Sequence, residues 1–109
     1  MLSKMKQYTT PEQTTKLIEL GFERPKNIVE GELYSDTYFA YSIGELLSFL
    51  PENIAKENEM PSTLNISLLD SEWCVEYADF LGADFSFRNV ELIDAAFNMV
   101  VKLKEEEKL

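Results

Sequence analysis

The chain has 109 residues, of which 45% are hydrophobic and 12% aromatic, and its formal net charge is −10. These values are typical of one globular domain, 1–109, and exclude a largely disordered chain. With Cys74 as its one cysteine and with no histidine, the chain excludes an internal disulfide and lacks the commonest general base and metal ligand. It has neither an apolar run of about 18 residues nor a signal-peptide pattern. We therefore expect a cytoplasmic protein that does not enter a membrane.

The acidic side chains are concentrated in the middle of the chain. Residues 1–26 carry five basic and three acidic side chains, residues 27–87 carry one and twelve, and residues 88–109 carry four and five, which gives net charges of +2, −11 and −1. Lys56 is the single cation of the central segment. Because binding to phosphates requires clustered Lys and Arg, this distribution disfavours direct contact with nucleic acid.

The first helix is predicted from its two ends. Thr10 can serve as the N-cap, Pro11 suits the first helical position, and Gln13 completes a capping box with Thr10. Gly21 can adopt the left-handed conformation that ends a helix. These signals predict a helix over residues 11–20.

The next segment combines turn residues with a strand pattern. Residues 24–31, RPKNIVEG, contain turn and breaker residues and predict a turn. The aromatic and β-branched residues that follow favour an extended strand, which begins at about Tyr34 or Thr37 and ends at Tyr41.

A second helix is predicted after Ser42. Ser42 as N-cap and Glu45 three residues later form a reciprocal capping box, and Pro51 stops the helix because the residue before proline avoids helical geometry. The polar residues 51–63 are interpreted as a connection, with one helical turn around Ile54 as an option. The core-facing stripe of the helix comprises Ile43, Leu46, Leu47 and Leu50.

Two runs of alternating apolar and polar residues predict an antiparallel hairpin. They cover residues 64–68 and 73–77 and are separated by the polar pair Asp70 and Ser71. This arrangement places Trp73 and Tyr77 in the core or on its rim.

The last helix follows residues 79–89, DFLGADFSFRN, which are interpreted as a connection. Asn89 is the predicted N-cap, and Glu91 lies at the positive end of the helix dipole. We expect residues 1–9 and 105–109 to fray. The apolar stripe of this helix comprises Ile93, Ala96, Phe97, Val100 and Leu103.

These elements predict an α+β fold in the order α-β-α-β-β-α. A small antiparallel sheet, made of the hairpin and one further strand, packs against three helices.

Few residues carry recognisable chemistry. Cys74 has no imidazole to activate it and is interpreted as a small buried or half-buried side chain. Asp79 and Asp84 could share a divalent cation, but the spacing of an EF-hand is absent. We therefore expect no catalytic residue, no cofactor and no metal.

The aromatic residues suggest an interface instead. They are more numerous than a small core needs, and aromatic side chains are favoured where proteins meet. The residues that we expect at an interface with another protein are Tyr34, Tyr38, Phe80, Phe85 and Phe87.

Several segments together carry a resemblance that covers nearly the whole chain. They are TPEQTTKLIELGFERP, YSIGELLSFLP, EWCVEY and ELIDAAFNMVVKLKEE. They resemble a group of small proteins found in phage and mobile-element genomes of gut bacteria, which often begin with TxEQTxKLIELGFE. The resemblance implies an intracellular accessory protein of phage origin, and it attaches no activity, cofactor or site residue to the chain.

Three functions are compatible with these features. The first is a non-enzymatic module that binds another protein, with a homodimer as one form. The second is an acidic decoy that mimics DNA, which requires carboxylates arrayed on one surface at the spacing of phosphates. The third is a hydrolase or transferase that uses carboxylates and tyrosine. We favour the first.

Overall fold

The structure is a computed structural model and describes residues 5–30, 37–56 and 59–109. Strands β1 and β2 form a two-stranded antiparallel sheet, and β3 to β6 form a four-stranded antiparallel sheet in the order β3-β4-β5-β6. The elements of the described ranges are α1 (Pro11–Glu19), β1 (Asn27–Glu30), β2 (Thr37–Ala40), α2 (Ile43–Phe49), β3 (Asn53–Lys56), β4 (Glu59–Leu69), β5 (Glu72–Asp79), β6 (Gly82–Asn89) and α3 (Leu92–Glu105).

The α+β class with three helices is confirmed, but the number and arrangement of strands differ from the prediction. The described residues follow the order α-β-β-α-β-β-β-β-α and form two sheets where one was expected. The difference arises because β1, β3 and β6 lie in segments that were interpreted as a turn or a connection.

Helix α1 begins and ends as its sequence signals predict. Oγ1 of Thr10 accepts a hydrogen bond from the N–H of Gln13 at 3.1 Å, and the Gln13 side chain accepts one from the N–H of Thr10 at 2.9 Å. Gly21 adopts φ +100°, and the N–H of Phe22 donates to the carbonyl of Leu17 at 3.1 Å. This ending pairs backbone groups that the helix itself leaves without partners.

Helix α2 is confirmed in the same way. Oγ of Ser42 accepts from the N–H of Glu45 at 3.1 Å, and Oε1 of Glu45 accepts from the N–H of Ser42 at 3.0 Å. The helix ends before Pro51, and Leu46 and Leu50 are buried.

The turn predicted over residues 24–31 is wrong for Asn27–Glu30, which form β1. Ile28 and Phe39 are directly paired across β1 and β2, and Nδ2 of Asn27 donates to the carbonyl of Ala40 and to Oε1 of Glu45. The cross-strand partners of β1 lie 7 to 13 positions later in the chain, so breaker residues nearby do not decide its conformation.

Two further interpretations are corrected in the larger sheet. The connection with a helical turn predicted over residues 51–63 is wrong for residues 53–56 and 59–63, which lie in β3 and β4, and Ile54 of β3 pairs with Ser62 of β4 and is buried. Residues 79–89 are not a connection either, because β6 pairs with β5. Both strands are edge strands of the sheet, and edge strands show weaker sequence patterns than central ones.

The hairpin of β4 and β5 is confirmed with the predicted turn. Asp70 and Ser71 both have positive φ, 51° and 65°, as type I′ turns require. Tyr77 is fully buried, and Trp73 is partly buried against the core. The apolar cross-strand pairs are Leu64 with Tyr77, Ile66 with Val75 and Leu68 with Trp73.

Helix α3 forms the centre of the core. It contacts α2, β5 and β6, and its buried positions span an arc of about 160° at 3.6 residues per turn. The predicted N-cap Asn89 is corrected: Glu91 is the N-cap, and its N–H donates to Oδ1 of Asn89 at 2.9 Å. The buried residues of α3 are Leu92, Ile93, Ala95, Ala96, Met99, Val100 and Leu103.

Thr9 ties the N-terminal segment to the rest of the fold. Its N–H donates to the carbonyl of Tyr41 at 2.9 Å, and its Oγ1 accepts from the N–H of Tyr41 at 3.0 Å and lies 2.7 Å from Oγ1 of Thr14. Its carbonyl accepts from the hydroxyl of Tyr38 at 3.1 Å. The polar atoms of this buried residue are therefore all hydrogen-bonded.

We predict that Thr9→Val lowers the free energy of unfolding by about 1 to 3 kcal/mol, because it leaves the buried N–H of Tyr41 without its acceptor. Urea denaturation measures the change. Thr15→Val is the matched control, since Thr15 is exposed on α1, and it should change stability by no more than about 0.5 kcal/mol. Equal effects of the two variants would contradict this role of Thr9.

We predict that Ser71→Gly stabilises the protein by up to about 1 kcal/mol, because glycine adopts positive φ without the steric cost that other residues carry. Thermal unfolding followed by circular dichroism measures the gain. A lower melting temperature would show that the serine side chain contributes more than the backbone conformation costs.

Candidate interaction surface

Four of the five predicted interface residues lie in the part of the chain that the structure describes. Tyr38 is half-buried in β2, and its hydroxyl is bonded to Thr9. Phe80 lies at the turn between β5 and β6 and is 80% exposed, whereas Phe85 and Phe87 are half-buried on β6 against the core. Tyr34 lies outside the described residues. Phe80, Phe85 and Phe87 thus share one hairpin, and Tyr38 belongs to the other sheet.

The turn of the β5–β6 hairpin presents two apolar side chains to solvent. Phe80 and Leu81 are 80% and 79% exposed. The carboxylate of Asp79 accepts a hydrogen bond from the N–H of Leu81 at 2.8 Å, and Gly82 adopts φ +138°, which favours glycine. The turn conformation is therefore set by its flanking residues, while the two apolar side chains make no contribution to the core. We call Phe80 and Leu81 the hairpin tip.

A third apolar side chain lies at the same end of the sheet. Thr63 of β4 pairs with Ala78 of β5, and both Met60 and the hairpin tip lie beyond this pair. Met60 is 65% exposed. Contiguous exposed apolar surface marks interaction sites more often than isolated apolar residues do.

Strand β6 forms a free edge of the four-stranded sheet. Among the described residues, β6 pairs with β5 alone. Phe85 and Phe87 lie opposite Tyr77 and Val75 on the face that α3 covers, and Nζ of Lys102 lies 6.0 Å from the centre of the Phe85 ring. Ser86 and Arg88 are exposed on the alternate face.

Other exposed apolar residues are more scattered. Ile28 and Phe39, the cross-strand pair of the small sheet, are 68% and 55% exposed. Val90 is also exposed, in the short segment between β6 and α3.

A shallow depression of about 310 Å³ lies where β3, β6 and the end of the chain meet. It is lined by Ile54, Asp84, Phe85 and Lys108. The register shift in β6 leaves Asp84 as an extra residue between two cross-strand pairs, and its carboxylate accepts a hydrogen bond from Oγ of Ser62. The depression therefore contains one acidic and one basic side chain beside an aromatic ring.

Within residues 5–30, 37–56 and 59–109, no three His, Cys, Asp or Glu side chains are grouped as a metal ion would require. Cys74 is buried, as expected, and its Sγ lies 3.6 Å from Oγ of Ser86 and 3.8 Å from Oε2 of Glu76.

Among the described residues, two tyrosines have a raised pKa. Burial raises the pKa of Tyr77 to about 12, and its hydroxyl donates to the carbonyl of Pro51 at 2.6 Å. Burial, followed by the charge of Glu45, raises the pKa of Tyr41, and its hydroxyl donates to the carbonyl of Glu23 at 2.5 Å. A raised tyrosine pKa keeps the hydroxyl protonated, so these groups serve as hydrogen-bond donors in the core.

The sequence prediction did not name Leu81, because its criterion was aromatic residues and Leu81 has no ring. Strand β6 was missed because residues 79–89 were interpreted as a connection. The signal that could have found this strand is the alternation of Phe85 and Phe87 with polar residues, which begins after the two-residue turn between Asp79 and Gly82.

Comparison of the chain with protein-family models, with curated proteins and with solved structures finds no match. Within the described residues, no helix is both long enough and apolar enough to cross a membrane.

We predict that the free energy of unfolding falls as the pH rises from about 10 to about 12. An unfolded tyrosine titrates near pH 10, whereas folded Tyr77 keeps its proton to about pH 12, so the unfolded chain binds fewer protons in this window. The stabilisation is complete below pH 10. Chemical denaturation at increasing pH measures the decrease.

Tyr77→Phe should flatten this dependence, and it should also lower stability below pH 10 because it removes the hydrogen bond to Pro51. Tyr8→Phe, at a residue with 37% exposure, is the control and should keep the dependence. An unchanged slope in Tyr77→Phe would exclude this residue as its source.

Proposed function

We propose that the protein is a small, non-enzymatic, cytoplasmic module that binds another protein, and that the hairpin tip is its principal contact. The observation that carries this proposal is the exposure of the Phe80 and Leu81 side chains, 80% and 79%, on a turn that is held by the hydrogen bond from the backbone N–H of Leu81 to Asp79. Full burial of each side chain in a partner would contribute about 1.5 to 3 kcal/mol.

The hairpin tip is well suited to binding because it is ordered before the partner arrives. Seven cross-strand pairs connect β5 to β6, and Tyr77, in the middle of β5, is fully buried. A contact presented on a preformed ribbon loses less conformational entropy on binding than one on an extended loop. The tip can therefore insert into a pocket as a rigid pair of side chains.

The charge of the protein indicates what surrounds that pocket. Asp79 precedes the tip, and residues 27–87 have a net charge of −11. Opposite charge at an interface accelerates association and excludes partners of the same sign. We therefore propose a partner with an apolar pocket and a rim of Lys and Arg. A membrane surface is less suitable, because its anionic lipids repel this charge.

The DNA-mimic alternative gains no specific support from the geometry. Several carboxylates make intramolecular hydrogen bonds: Glu45 accepts from the N–H of Ser42, Asp94 pairs with Lys6 and accepts from Gln13, and Asp84 accepts from Ser62. These acidic groups lie on different helices and strands. A decoy requires acidic groups that are arrayed together for its partner.

We predict that the double variant Phe80→Ser with Leu81→Ser loses the partner while the fold remains intact. Wild type and variant, immobilised at equal density, are exposed to an extract of the cells that express the protein, and the retained proteins are quantified by mass spectrometry. The wild type should retain the partner. The amount retained by the variant should be lower by about tenfold or more, since the two side chains contribute several kcal/mol to binding.

The matched control is Ile28→Ser, which removes an exposed apolar side chain from the small sheet. It should retain the same partner as the wild type. Equal circular dichroism spectra and melting temperatures would show that all three proteins are folded. The same set of retained proteins on all three would overturn the proposal.

A further inference from the structure

We propose that the protein has a second docking surface, made of Leu68, Trp73 and Val90, and that it binds a helix of another protein whose apolar stripe is flanked by Lys or Arg. We call these three residues the Trp73 patch. The patch lies at the opposite end of β5 from the hairpin tip, since Trp73 is near the start of this strand and Asp79 is at its end. At the usual rise of a strand, these two residues are about 20 Å apart. The inference therefore does not rest on the role proposed for the tip.

Strand pairing brings the residues of the patch together, although they are far apart in sequence. Trp73 pairs with Leu68 of β4 on one side and with Asn89 of β6 on the other, and Val90 follows Asn89. Directly paired residues of neighbouring strands have their side chains on one face of the sheet. Leu68 and Val90 are 49% and 65% exposed, and Trp73 is partly buried beside them. The patch is therefore a contiguous apolar surface centred on a tryptophan, a residue type that is enriched where binding energy is concentrated.

Both ends of the patch are held by local structure. Oδ1 of Asn89 accepts a hydrogen bond from the N–H of Glu91 at 2.9 Å, which closes a turn around Val90. Leu68 lies next to the two-residue turn of the β4–β5 hairpin, in which seven cross-strand pairs connect the two strands. A surface that is ordered before binding loses less conformational entropy than a flexible segment does. The Trp73 patch meets this condition.

Helix α3 shows which kind of element fits this face of the sheet. It packs on β5 and β6, and Val75 and Tyr77, which lie on the same face as Trp73, are fully buried. Its first residue, Leu92, comes just after the patch in the chain, and the exposure of Leu68 shows that the covering layer ends at this row. A partner helix on the patch would continue that layer, with its apolar stripe against the sheet.

The charges beside the patch favour a basic partner. Asp70 lies in the adjoining hairpin turn, and Glu91 follows the last residue of the patch. The backbone N–H of Lys6 donates to Glu91, but its Nζ is paired with Asp94 at 2.9 Å, and Arg88 is exposed on the other face of the sheet. Opposite charges across an interface favour association, and like charges disfavour it. Lys or Arg beside the apolar stripe would therefore meet Asp70 and Glu91, whereas a second copy of this chain would bring the same acidic groups.

The first test uses Trp73 as the reporter, because it is the only tryptophan of the chain. The probe is a synthetic helical peptide of leucine and lysine, with its leucines on one face and with no aromatic residue. Its titration should shift the emission of Trp73 to shorter wavelengths, since the helix displaces water from the ring. The control peptide has glutamate in place of lysine and should cause no shift. Absence of a shift with the lysine peptide, or an equal shift with both peptides, would overturn the proposal.

Sedimentation velocity without peptide tests a second copy as the occupant. We expect the mass of one chain at the concentrations of the titration. A dimer of the wild type that Leu68→Ser abolishes would assign the patch to self-association and overturn the proposal.

The second test removes the apolar side chains around the reporter. Leu68→Ser with Val90→Ser should weaken binding of the lysine peptide, measured by Trp73 emission, by about tenfold or more. Phe80→Ser with Leu81→Ser is the matched control and should leave both the emission shift and the affinity unchanged, which separates this surface from the hairpin tip. If melting temperatures show that the first variant is unfolded, Val90→Ser alone should still weaken binding by about threefold or more. Wild-type affinity in a folded Val90→Ser variant would contradict the proposal.

The third test removes the charges beside the patch. Asp70→Asn with Glu91→Gln keeps a hydrogen-bond acceptor at each position and an amide that tolerates positive φ in the turn. It should weaken binding of the lysine peptide by about threefold or more, and added salt should reduce the difference. The control, Glu12→Gln with Glu19→Gln, removes the same charge from exposed positions on α1 and should have little effect. Equal effects of the two variants would show that the peptide responds to net charge and not to this patch.

Discussion

Burial of one broad face of α3 is the constraint on which the rest of the fold depends. Its buried arc of about 160° is wider than the stripe of a helix that covers a single layer. Two side-chain contacts show that the helix reaches both the sheet and α2. Lys102 contacts the ring of Phe85 on β6, and Lys104 contacts the ring of Phe22 beside α2. Asp94 then joins the same helix to the N-terminal segment through Lys6 and Gln13. The sheet, α2 and the chain before α1 are all positioned by their contacts with this one helix.

The helices were predictable because their signals are local. Thr10 and Gln13, like Ser42 and Glu45, are three residues apart, so the capping interactions are visible in the sequence before any tertiary contact is known. The central hairpin was predictable for a similar reason, since its two-residue turn and both alternating runs are contiguous. Strands β1 and β3 have four residues each, and their conformation depends on Phe39 and Ser62, which are paired with them across the sheets. Neither NIVE nor NIAK alternates apolar and polar residues, so the pattern that identified the central hairpin is missing from both strands.

The sequence predicted some residues of the candidate surface, but the structure gives a different explanation for the positions of two of them. The excess of aromatic residues indicated an interface, and Phe80 is highly exposed. Phe85 and Phe87 belong instead to a strand whose existence depends on pairing with β5, so their half-buried positions follow from the sheet and not from a loop. Leu81 was not predicted as an interface residue, because that prediction was based on aromatic residues and Leu81 has no ring. The structure places both the Phe80 and the Leu81 side chains in solvent, 80% and 79% exposed, on a turn in which Asp79 is bonded to the Leu81 N–H and Gly82 adopts positive φ.

The hydrogen bonds of Thr9 have a consequence for the segment before α1. Thr9 bonds the backbone of the buried Tyr41 through its N–H and its Oγ1, and its carbonyl accepts from the hydroxyl of Tyr38. Without this residue, polar groups next to the core would lose their partners. The residues that precede α1 therefore belong to the folded unit and are not a dispensable tail.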